Sequence, residues 1–279
     1  MEVPETTESG RRSASACRRA SLPSGTTVAA KRLKAPSSQR WKASDAAFLM
    51  RQVSVASRLR HHNLVRLLGY NITTDLCVLL YQFAPMGLRR EVAHGRLPKA
   101  GRSWPTLSWA QRVRVALDAA NGLAYLHGAG VTHHDVRSTN VLLFEGFSAK
   151  IADYDMFKQL PVNDVESNFV FQVTGASRWY LPPEFTTTGQ VTQKGDVFCF
   201  GVVLLELLTG NKAKDSKLKL VVHHSAWLRF DPKLNRQYPQ TGARKLAKIA
   251  LGCLKPKPAS RPSMATVARE IQECLAGGQ

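Results

Sequence analysis

The stretch that decides the fold runs from His133 to Asp155 and reads HHDVRSTNVLLFEGFSAKIADYD. Within it, VLLF and AKIA predict two short strands joined by a turn through residues 145–147. Asn140 enters this hairpin and Asp153 leaves it at the same open end, so we expect the two side chains to converge. Because paired strands lie roughly 5 Å apart, an amide oxygen and a carboxylate in these positions can share one or two hard cations.

Asp135 stands on the loop before the hairpin, five residues ahead of Asn140. A carboxylate there can accept a proton beside the cations. This combination suits phosphoryl transfer, in which metal ions neutralise phosphate charge while a carboxylate orients the attacking hydroxyl. A His-x-Asp or Asp-x-Asp sequence alone is usually a solvated loop, so the interpretation depends on the spacing of the whole stretch.

The segment HHDVRSTN resembles the catalytic loop of protein kinases, and Asp-Tyr-Asp at 153–155 resembles their Asp-Phe-Gly magnesium motif with two substitutions. An upstream VAAK ending at Lys31 and a downstream Pro-Pro-Glu ending at Glu184 stand in the order and separations of a kinase domain. Within the kinases, the similarity is greatest to plant receptor-like cytoplasmic kinases of the Pto-interacting type. It rests on FEGFSAKIADYD, TGQVTQKGDVFCFGVVLLELLTG and LSWAQRVRVALDAANGLAYLH.

The resemblance implies an α+β, bilobal fold with a small β-rich N-lobe and a larger helical C-lobe. The expected segments are an N-terminal tail (1–9), the N-lobe (10–83), a hinge (84–87), the C-lobe (88–275) and a C-terminal tail (276–279). It also implies serine/threonine protein kinase activity in cytosolic defence and stress signalling, with protein substrates.

ATP and Mg²⁺, or Mn²⁺ in its place, are the cofactors that the resemblance implies. Asp135 becomes the proton acceptor, and Asn140 and Asp153 become the metal ligands. Lys31 becomes the phosphate-positioning catalytic lysine, although VAAK alone fits an exposed strand lysine at least as well. The remaining expected ATP contacts are Gly10 in the phosphate loop and the hinge backbone of Gln82, Phe83 and Ala84.

The sequence departs from the kinase pattern at several expected site positions. Arg12 and Ser15 stand where two phosphate-loop glycines belong, Gln52 replaces the glutamate that pairs with the lysine, and His134, Arg137 and Asp155 replace arginine, lysine and glycine. Two function classes therefore stay open, a kinase with reduced activity and a pseudokinase scaffold. We favour the kinase because all four principal groups, at 31, 135, 140 and 153, are present.

Apolar spacing predicts a helix over 46–59 with one buried face, formed by Phe48, Leu49, Val53, Val55, Ala56 and Leu59. The continuous apolar run LCVLLYQF predicts a buried strand over 76–83. Ser108-Trp109-Ala110-Gln111 predicts a capping box that opens a long helix ending at Gly128.

Two further side chains have expected partners. Asp196 opens a strongly apolar helix, where it fits both a helix cap and, by resemblance, a brace for the catalytic-loop backbone. Glu184 is expected by the same resemblance to pair with Arg261.

Composition limits the function classes. The 279 residues are 44% hydrophobic and carry a formal charge of +19, but the basic residues are spread along the chain and no zinc-finger or RNP pattern occurs. We therefore expect no nucleic-acid function. No apolar run reaches 18 residues and no signal peptide is recognisable, which favours a cytoplasmic location, with peripheral association at an acidic plasma-membrane surface as a further expectation. The five cysteines show no CxxC pairing and are expected to be reduced and mostly buried.

Overall fold

The computed structural model describes residues 15–33, 43–86, 106–154, 177–189, 192–216, 218 and 228–276. Several sequence expectations fall outside these residues: the N-terminal tail, residues 277–279 of the C-terminal tail, the last hinge residue, Gly10, Arg12, Asp155 and most of the segment that follows it. The described chain divides into two compact units. The first contains residues up to Ser54 together with 67–83, and the second contains 55–66 and the residues from Ala84 onward.

The first unit is built on a four-stranded antiparallel sheet with spatial order β1-β2-β4-β3. Its strands are β1 (Ser15–Ser21), β2 (Thr27–Leu33), β3 (Leu67–Ile72) and β4 (Cys77–Gln82). β2 and β4 are the internal strands, and Lys31 on β2 lies opposite Leu79 on β4. The β-branched and apolar residues of these strands form the core of this unit, with Val28 and Leu79 fully buried.

β4 is less buried than its continuous apolar run predicts. Cys77 and Leu79 are buried, whereas Val78 and Leu80 on the other face are only half-buried. Because successive side chains of a strand point to opposite faces, only one face of this small sheet is fully covered. The predicted strand is confirmed, but the prediction of burial on both faces is wrong.

The helix α1 (Ala43–Arg58) follows β2 in the described chain. Leu49, Val53 and Ala56 are buried as the periodicity predicts, but Val55 is 43% exposed. Val55 follows Val53 by two residues, which turns it about 200° around the axis to the opposite side. Its assignment to the buried face is therefore wrong.

The second unit is mainly helical. It contains α2 (Trp109–Gly128), the short hairpin strands β5 (Val141–Leu143) and β6 (Ala149–Ile151), the four-residue helix α3 (Phe185–Thr188), α4 (Gln193–Thr209), α5 (Gln240–Cys253) and α6 (Met264–Ala276). Short 3₁₀ turns cover Ser138–Asn140, Glu145–Phe147, Ser177–Trp179, Pro232–Leu234 and Pro258–Ser260. The small sheet and larger helical unit confirm the predicted α+β class.

α2 begins as the sequence predicts. The Ser108 hydroxyl accepts from the Gln111 backbone N–H, and the Gln111 side chain accepts from the Ser108 N–H, which satisfies two of the donors left open at a helix start. Gly128 is the last helical residue, also as predicted, although the left-handed residue that turns the chain is Gly130 (φ 75°).

α4 forms the centre of this unit, since nearly all of its residues are buried. It packs on α5, while α2 packs on α6. At Gly201, a Cβ would lie 2.9 Å from Cys253 Cβ, so glycine permits the close approach of α4 and α5. In the part of the chain that the structure describes, no helix combines the length and apolar character needed to cross a bilayer. Of the five cysteines, four are buried and Cys17 is exposed, and none forms a disulfide.

Candidate active site

The predicted hairpin is present and brings its two ends together. Val141 on β5 pairs with Ile151 on β6, and beyond this pair the Ala152 N–H donates to the Asn140 carbonyl at 2.8 Å. Asp153 follows at once with φ 55°, a left-handed conformation that turns the chain out of the strand. Asn140 and Asp153 thus flank the same open end, as their sequence positions predict.

Asn140 also contacts Asp135 directly. Its Nδ2 donates to the Asp135 backbone carbonyl at 2.8 Å and to Asp135 Oδ2 at 3.1 Å, and both side chains are buried. Since both acceptors are oxygens, they fix the orientation of the amide with nitrogen toward Asp135. Asn140 Oδ1 is therefore the side-chain atom with lone pairs for a cation.

Arg137 is a second neighbour of Asp135. Its Nε lies 3.0 Å from Asp135 Oδ2, and the Asp135 side chain is only 3% exposed. A guanidinium and an amide N–H thus both stabilise negative charge on this oxygen. The sequence shows a cation at position 137, but the spacing of the loop does not reveal that it contacts the carboxylate.

His133 holds the catalytic loop against the hairpin. The Asp135 N–H donates to His133 Nδ1 at 3.2 Å, which makes Nδ1 an acceptor and places the ring proton on Nε2. His133 Nε2 lies 3.1 Å from the carbonyl of Ala152, the residue before Asp153. The fully buried, neutral imidazole therefore connects the backbone beside Asp135 with the backbone beside Asp153.

Asp196 braces the backbone of the catalytic loop. Its Oδ2 accepts from the His133 N–H at 2.7 Å and its Oδ1 accepts from the His134 N–H at 3.0 Å. Thr192, not Asp196, caps α4, because its side chain accepts from the Gly195 N–H. Of the two roles that fit Asp196, bracing is confirmed and capping is wrong.

The sequence did not reveal a third partner of Asp196. His127 Nε2, in the last turn of α2, lies 2.9 Å from Asp196 Oδ2. The two residues are 69 positions apart, and no local pattern links them. Asp196 is fully buried, and these three N–H groups satisfy its charge there.

Tyr154 carries a hydroxyl at the position where the kinase motif has phenylalanine. That hydroxyl donates to the Val65 carbonyl at 2.9 Å. Burial raises the pKa of Tyr154 to about 12, so the phenol stays neutral and able to donate. The Val65 N–H in turn donates to the Ile151 carbonyl at 2.8 Å, and the hairpin is thereby tied to the segment after α1.

A buried hydroxyl network links the catalytic loop to α4. Ser138 Oγ lies 3.1 Å from Tyr180 OH, which donates to Glu206 Oε2 at 2.8 Å. Burial, together with the nearby carboxylate of Glu206, raises the pKa of Tyr180 well above its ordinary value. The residues following the undescribed segment are therefore fixed directly on the loop that carries Asp135.

The predicted pair of Glu184 and Arg261 is confirmed. Arg261 Nη1 and Nη2 bind the two carboxylate oxygens at 2.6 and 2.7 Å. The other N–H groups of Arg261 donate to the carbonyls of Lys255, Lys194 and Pro256, so all five donors are used. Burial acts to raise the pKa of Glu184, but the hydrogen bonds and charge of Arg261 outweigh it and hold the pKa below its ordinary value.

The remaining predicted site residues belong to other parts of the fold. Lys31 is 8% exposed on β2 of the first unit, which rules out the exposed strand lysine that its sequence also allowed. Gln52 is half-buried on α1. Gln82 ends β4 and is followed by half-buried Phe83 and buried Ala84. Gly10 lies outside the described residues.

The donor set at the open end of the hairpin fits a divalent cation. Asn140 supplies an amide oxygen and Asp153 a carboxylate, the hard oxygen ligands that Mg²⁺ and Mn²⁺ prefer. The nitrogen of Asn140 is held away from this position by Asp135. These residues therefore suit a hard divalent cation.

Comparison with known proteins agrees with this geometry. The family model described as protein tyrosine and serine/threonine kinase matches residues 12–271. The chain is 42% identical to PTI1-like tyrosine-protein kinases 1 and 2 of Arabidopsis thaliana over 275 residues each, covering 92% of this chain and 74% and 73% of those relatives. It is 36% identical over 265 residues to a probable LRR receptor-like serine/threonine-protein kinase of the same plant, covering 90% of this chain and 29% of that relative.

Proposed function

Because this chain belongs to the protein kinase family, we propose that it transfers the γ-phosphate of ATP to serine or threonine hydroxyls of proteins in cytosolic signalling. The family implies ATP, a divalent metal and protein substrates. Two contacts of Asn140 carry the proposal. Its Nδ2 donates to Asp135 Oδ2 at 3.1 Å, and its carbonyl accepts from the N–H of Ala152, the residue before Asp153.

In the proposed reaction, the substrate hydroxyl oxygen bonds to the γ-phosphorus while the bond from that phosphorus to the β-phosphate oxygen breaks and ADP leaves. Asp135 accepts the hydroxyl proton. Asn140 Oδ1 and the Asp153 carboxylate would hold Mg²⁺, which would neutralise the phosphate charge. Mn²⁺ offers the same ligand chemistry as a substitute.

The other proposed contacts follow the resemblance to the kinase family. Lys31 binds the α- and β-phosphates, and the backbone of Gln82, Phe83 and Ala84 binds adenine. Gly10 belongs to the phosphate loop. In this proposal the N-lobe covers 10–83, the hinge 84–87 and the C-lobe 88–275.

We propose that the activity is weak. Gln52 offers a neutral hydrogen bond where the family has a carboxylate, which loses on the order of 1 kcal/mol, or roughly tenfold in an equilibrium. Arg12 and Ser15 remove two phosphate-loop glycines at which the backbone can approach phosphate without a Cβ, and Asp155 replaces the glycine of the magnesium motif. His134 lacks the bidentate fork with which arginine binds phosphate, so we expect activity to depend little on phosphorylation of the segment after Asp155.

A scaffold without catalysis is the second candidate, and one observation favours it. Arg137 Nε lies 3.0 Å from the oxygen of Asp135 that Asn140 also contacts. The Asn140 amide and the Arg137 cation thus both lie against one oxygen of the carboxylate that must accept a proton in transfer. The second oxygen of Asp135 must then serve as the acceptor.

Acid hydrolysis of a labelled product tests which type of residue the chain phosphorylates. The purified chain, incubated with γ-labelled ATP, Mg²⁺ and a generic protein substrate, should yield phosphoserine or phosphothreonine. Phosphotyrosine as the main product would refute the serine/threonine proposal and would agree with the names of the two PTI1-like relatives.

Nucleotide binding is tested separately from transfer. Mg-ATP should raise the melting temperature by mass action, and Lys31→Met should reduce that shift. We also propose that the chain is cytoplasmic and associates peripherally with an acidic membrane surface. The melting temperature measured with anionic vesicles in place of nucleotide tests that association. No thermal shift at millimolar nucleotide would favour the scaffold.

A further inference from the structure

A cavity of about 620 Å³ lies in the second unit, on the connection between α4 and α5. Its volume falls within the range of about 300–1000 Å³ that is typical of ligand sites in proteins. The described residues that line it all lie between positions 228 and 238. Only Asp231 among them is buried, and the others are half-buried or exposed, so the cavity is open to solvent. An open cavity of this kind suits a side chain that a separate segment presents from outside.

The cavity lies at the end of α4 that is remote from the catalytic loop. The Asp231 N–H donates to the carbonyl of Leu208, next to the last residue of α4, at 2.9 Å. Asp196, which braces the catalytic loop, lies on the same helix twelve residues before Leu208. At 1.5 Å per residue, about 18 Å of helix separate the two positions. The cavity is therefore separate from the candidate active site.

A buried arginine of α2 fixes the loop that forms the cavity. Arg112 Nη2 lies 2.6 Å from Asp231 Oδ2, and Arg112 Nη1 donates to the Leu207 carbonyl at 2.8 Å. The other Asp231 oxygen accepts from the Lys233 N–H at 3.0 Å. Asp231 is thus held in place and its charge is compensated by Arg112, so it does not present an unpaired negative charge to a ligand.

Two successive residues of this loop, Asn235 and Arg236, have left-handed backbones, with φ of 48° and 60°. An arginine rarely adopts this conformation. The turn enforces it here, because the Asn235 N–H donates to the Pro232 carbonyl at 2.9 Å and the Tyr238 N–H donates to the Arg236 carbonyl at 3.0 Å. Strained backbone of this kind is concentrated at ligand sites. The turn brings both Arg236 and Tyr238 to the cavity.

The lining combines cationic and aromatic groups. Arg229 and Arg236 are exposed, and Arg229 Nη1 donates to the Leu228 carbonyl at 3.3 Å. No carboxylate of the described residues lies within ion-pair distance of Arg236. Phe230 and Tyr238 are half-buried, with their ring centres 5.0 Å apart. Because guanidinium groups bind phosphate in a bidentate manner and aromatic rings pack on other rings, this lining complements a ring that carries a phosphate.

We propose that this cavity binds a phosphotyrosine side chain that a segment of a partner protein presents. The phosphate binds Arg229 and Arg236. The phenyl ring packs against Phe230 and Tyr238. The open cavity favours a side chain of a protein segment over a free nucleotide, because small-molecule sites enclose most of the ligand surface. Binding needs neither ATP nor metal, so the inference does not depend on the proposed kinase reaction.

The test uses a fluorescein-labelled peptide of Gly and Ser residues with one central phosphotyrosine, and the full chain without nucleotide. Fluorescence anisotropy should show saturable binding that weakens with added salt. The same peptide with unmodified tyrosine lacks the phosphate and should bind about tenfold less tightly or worse. The peptide with phosphoserine in its place keeps the phosphate but lacks the ring, and it should bind about fivefold less tightly.

Variants of the chain locate the bound peptide. Arg229→Gln and Arg236→Gln should each weaken binding about fivefold or more, because each removes a charged phosphate donor. Phe230→Leu keeps an apolar side chain but removes the ring, and it should weaken binding about threefold. Arg51→Gln is the matched control, because Arg51 is exposed on α1 of the first unit and does not line the cavity. It should bind the phosphotyrosine peptide with nearly unchanged affinity.

Competition distinguishes the sources of an aromatic phosphate. Unlabelled phosphotyrosine peptide should displace the labelled peptide at a lower concentration than AMP or inorganic phosphate does. Stronger displacement by AMP or by inorganic phosphate would overturn the inference. So would an absence of binding by the wild-type chain, equal binding of the unmodified peptide, or binding that both arginine variants leave intact. Peptide binding without any phosphoryl transfer would refute the kinase proposal and leave this site standing.

Discussion

The ion pair of Glu184 and Arg261 offers a sharp test of how the second unit is stabilised. The Arg261 side chain is fully buried and that of Glu184 is 18% exposed. Glu184→Gln keeps the shape but leaves a buried guanidinium without its counter-charge. Breaking a buried pair in this way typically costs 3–5 kcal/mol, and we expect about 3 kcal/mol because Glu184 is partly exposed. For a unit of this size, that loss lowers the melting temperature by roughly 6–12 °C.

The difference in melting temperature between the wild type and Glu184→Gln should depend on pH. The pKa of Glu184 is lowered in the folded state, so its contribution to stability is fully present above the ordinary value of 4.5 and is lost as pH falls through the folded-state pKa. Thermal unfolding of the wild type and the Gln variant, followed by circular dichroism, should differ most near pH 7. The two curves should approach each other below pH 4.5.

Glu273→Gln is the matched control, because Glu273 pairs with Lys245 at 3.1 Å on the surface. Exposed pairs contribute little, and we expect no measurable change in its melting temperature. A shift of less than about 2 °C for Glu184→Gln near pH 7, or a difference that stays constant well below pH 4.5, would refute the assignment of this pair as a main support of the unit.

Three further substitutions test the scaffold around the catalytic loop. Gly122→Ala should destabilise the protein by about 1–3 kcal/mol, because its Cβ would lie 2.6 Å from the Asn63 backbone oxygen. Gly128→Ala should not destabilise the protein, because its Cβ would have no neighbour within 4 Å. Equal urea midpoints for the two variants would contradict this prediction. Tyr154→Phe should cost about 1 kcal/mol by removing the hydrogen bond to Val65, and an unchanged urea midpoint would show that this bond contributes nothing. Asp196→Asn should lower kcat about tenfold to a hundredfold while leaving the fold intact by circular dichroism, and wild-type kcat would mean that the brace is not needed for activity.

Local patterns predicted much of the fold and the centre of the site. The hairpin, the capping box of α2 and the burial of Leu49 and Val53 each follow from turn chemistry or periodicity over a few residues. The prediction for Val55 is wrong because two steps of 100° from Val53 place it on the opposite side of the helix. The convergence of Asn140 and Asp135 was predictable because both lie within one short loop.

The missed features depend on contacts between distant parts of the chain. His127 meets Asp196 across 69 positions, and Tyr180 meets Ser138 across 42. The sequence near each residue carries no sign of its partner, because tertiary packing within the second unit brings the two together. A cavity beside Trp179 has the same origin, since its lining residues come from four separate segments.

The central claim is that Asp135 accepts the hydroxyl proton in phosphoryl transfer. The most direct test measures the initial rate of γ-phosphate transfer to protein by the purified chain and by its Asp135→Asn variant. The account predicts slow but measurable transfer with Mg²⁺ or Mn²⁺, and a loss of at least a hundredfold in the variant. Nucleotide-dependent thermal stabilisation should remain in the variant. No transfer by the wild-type chain under either metal, or equal rates for both proteins, would contradict the claim.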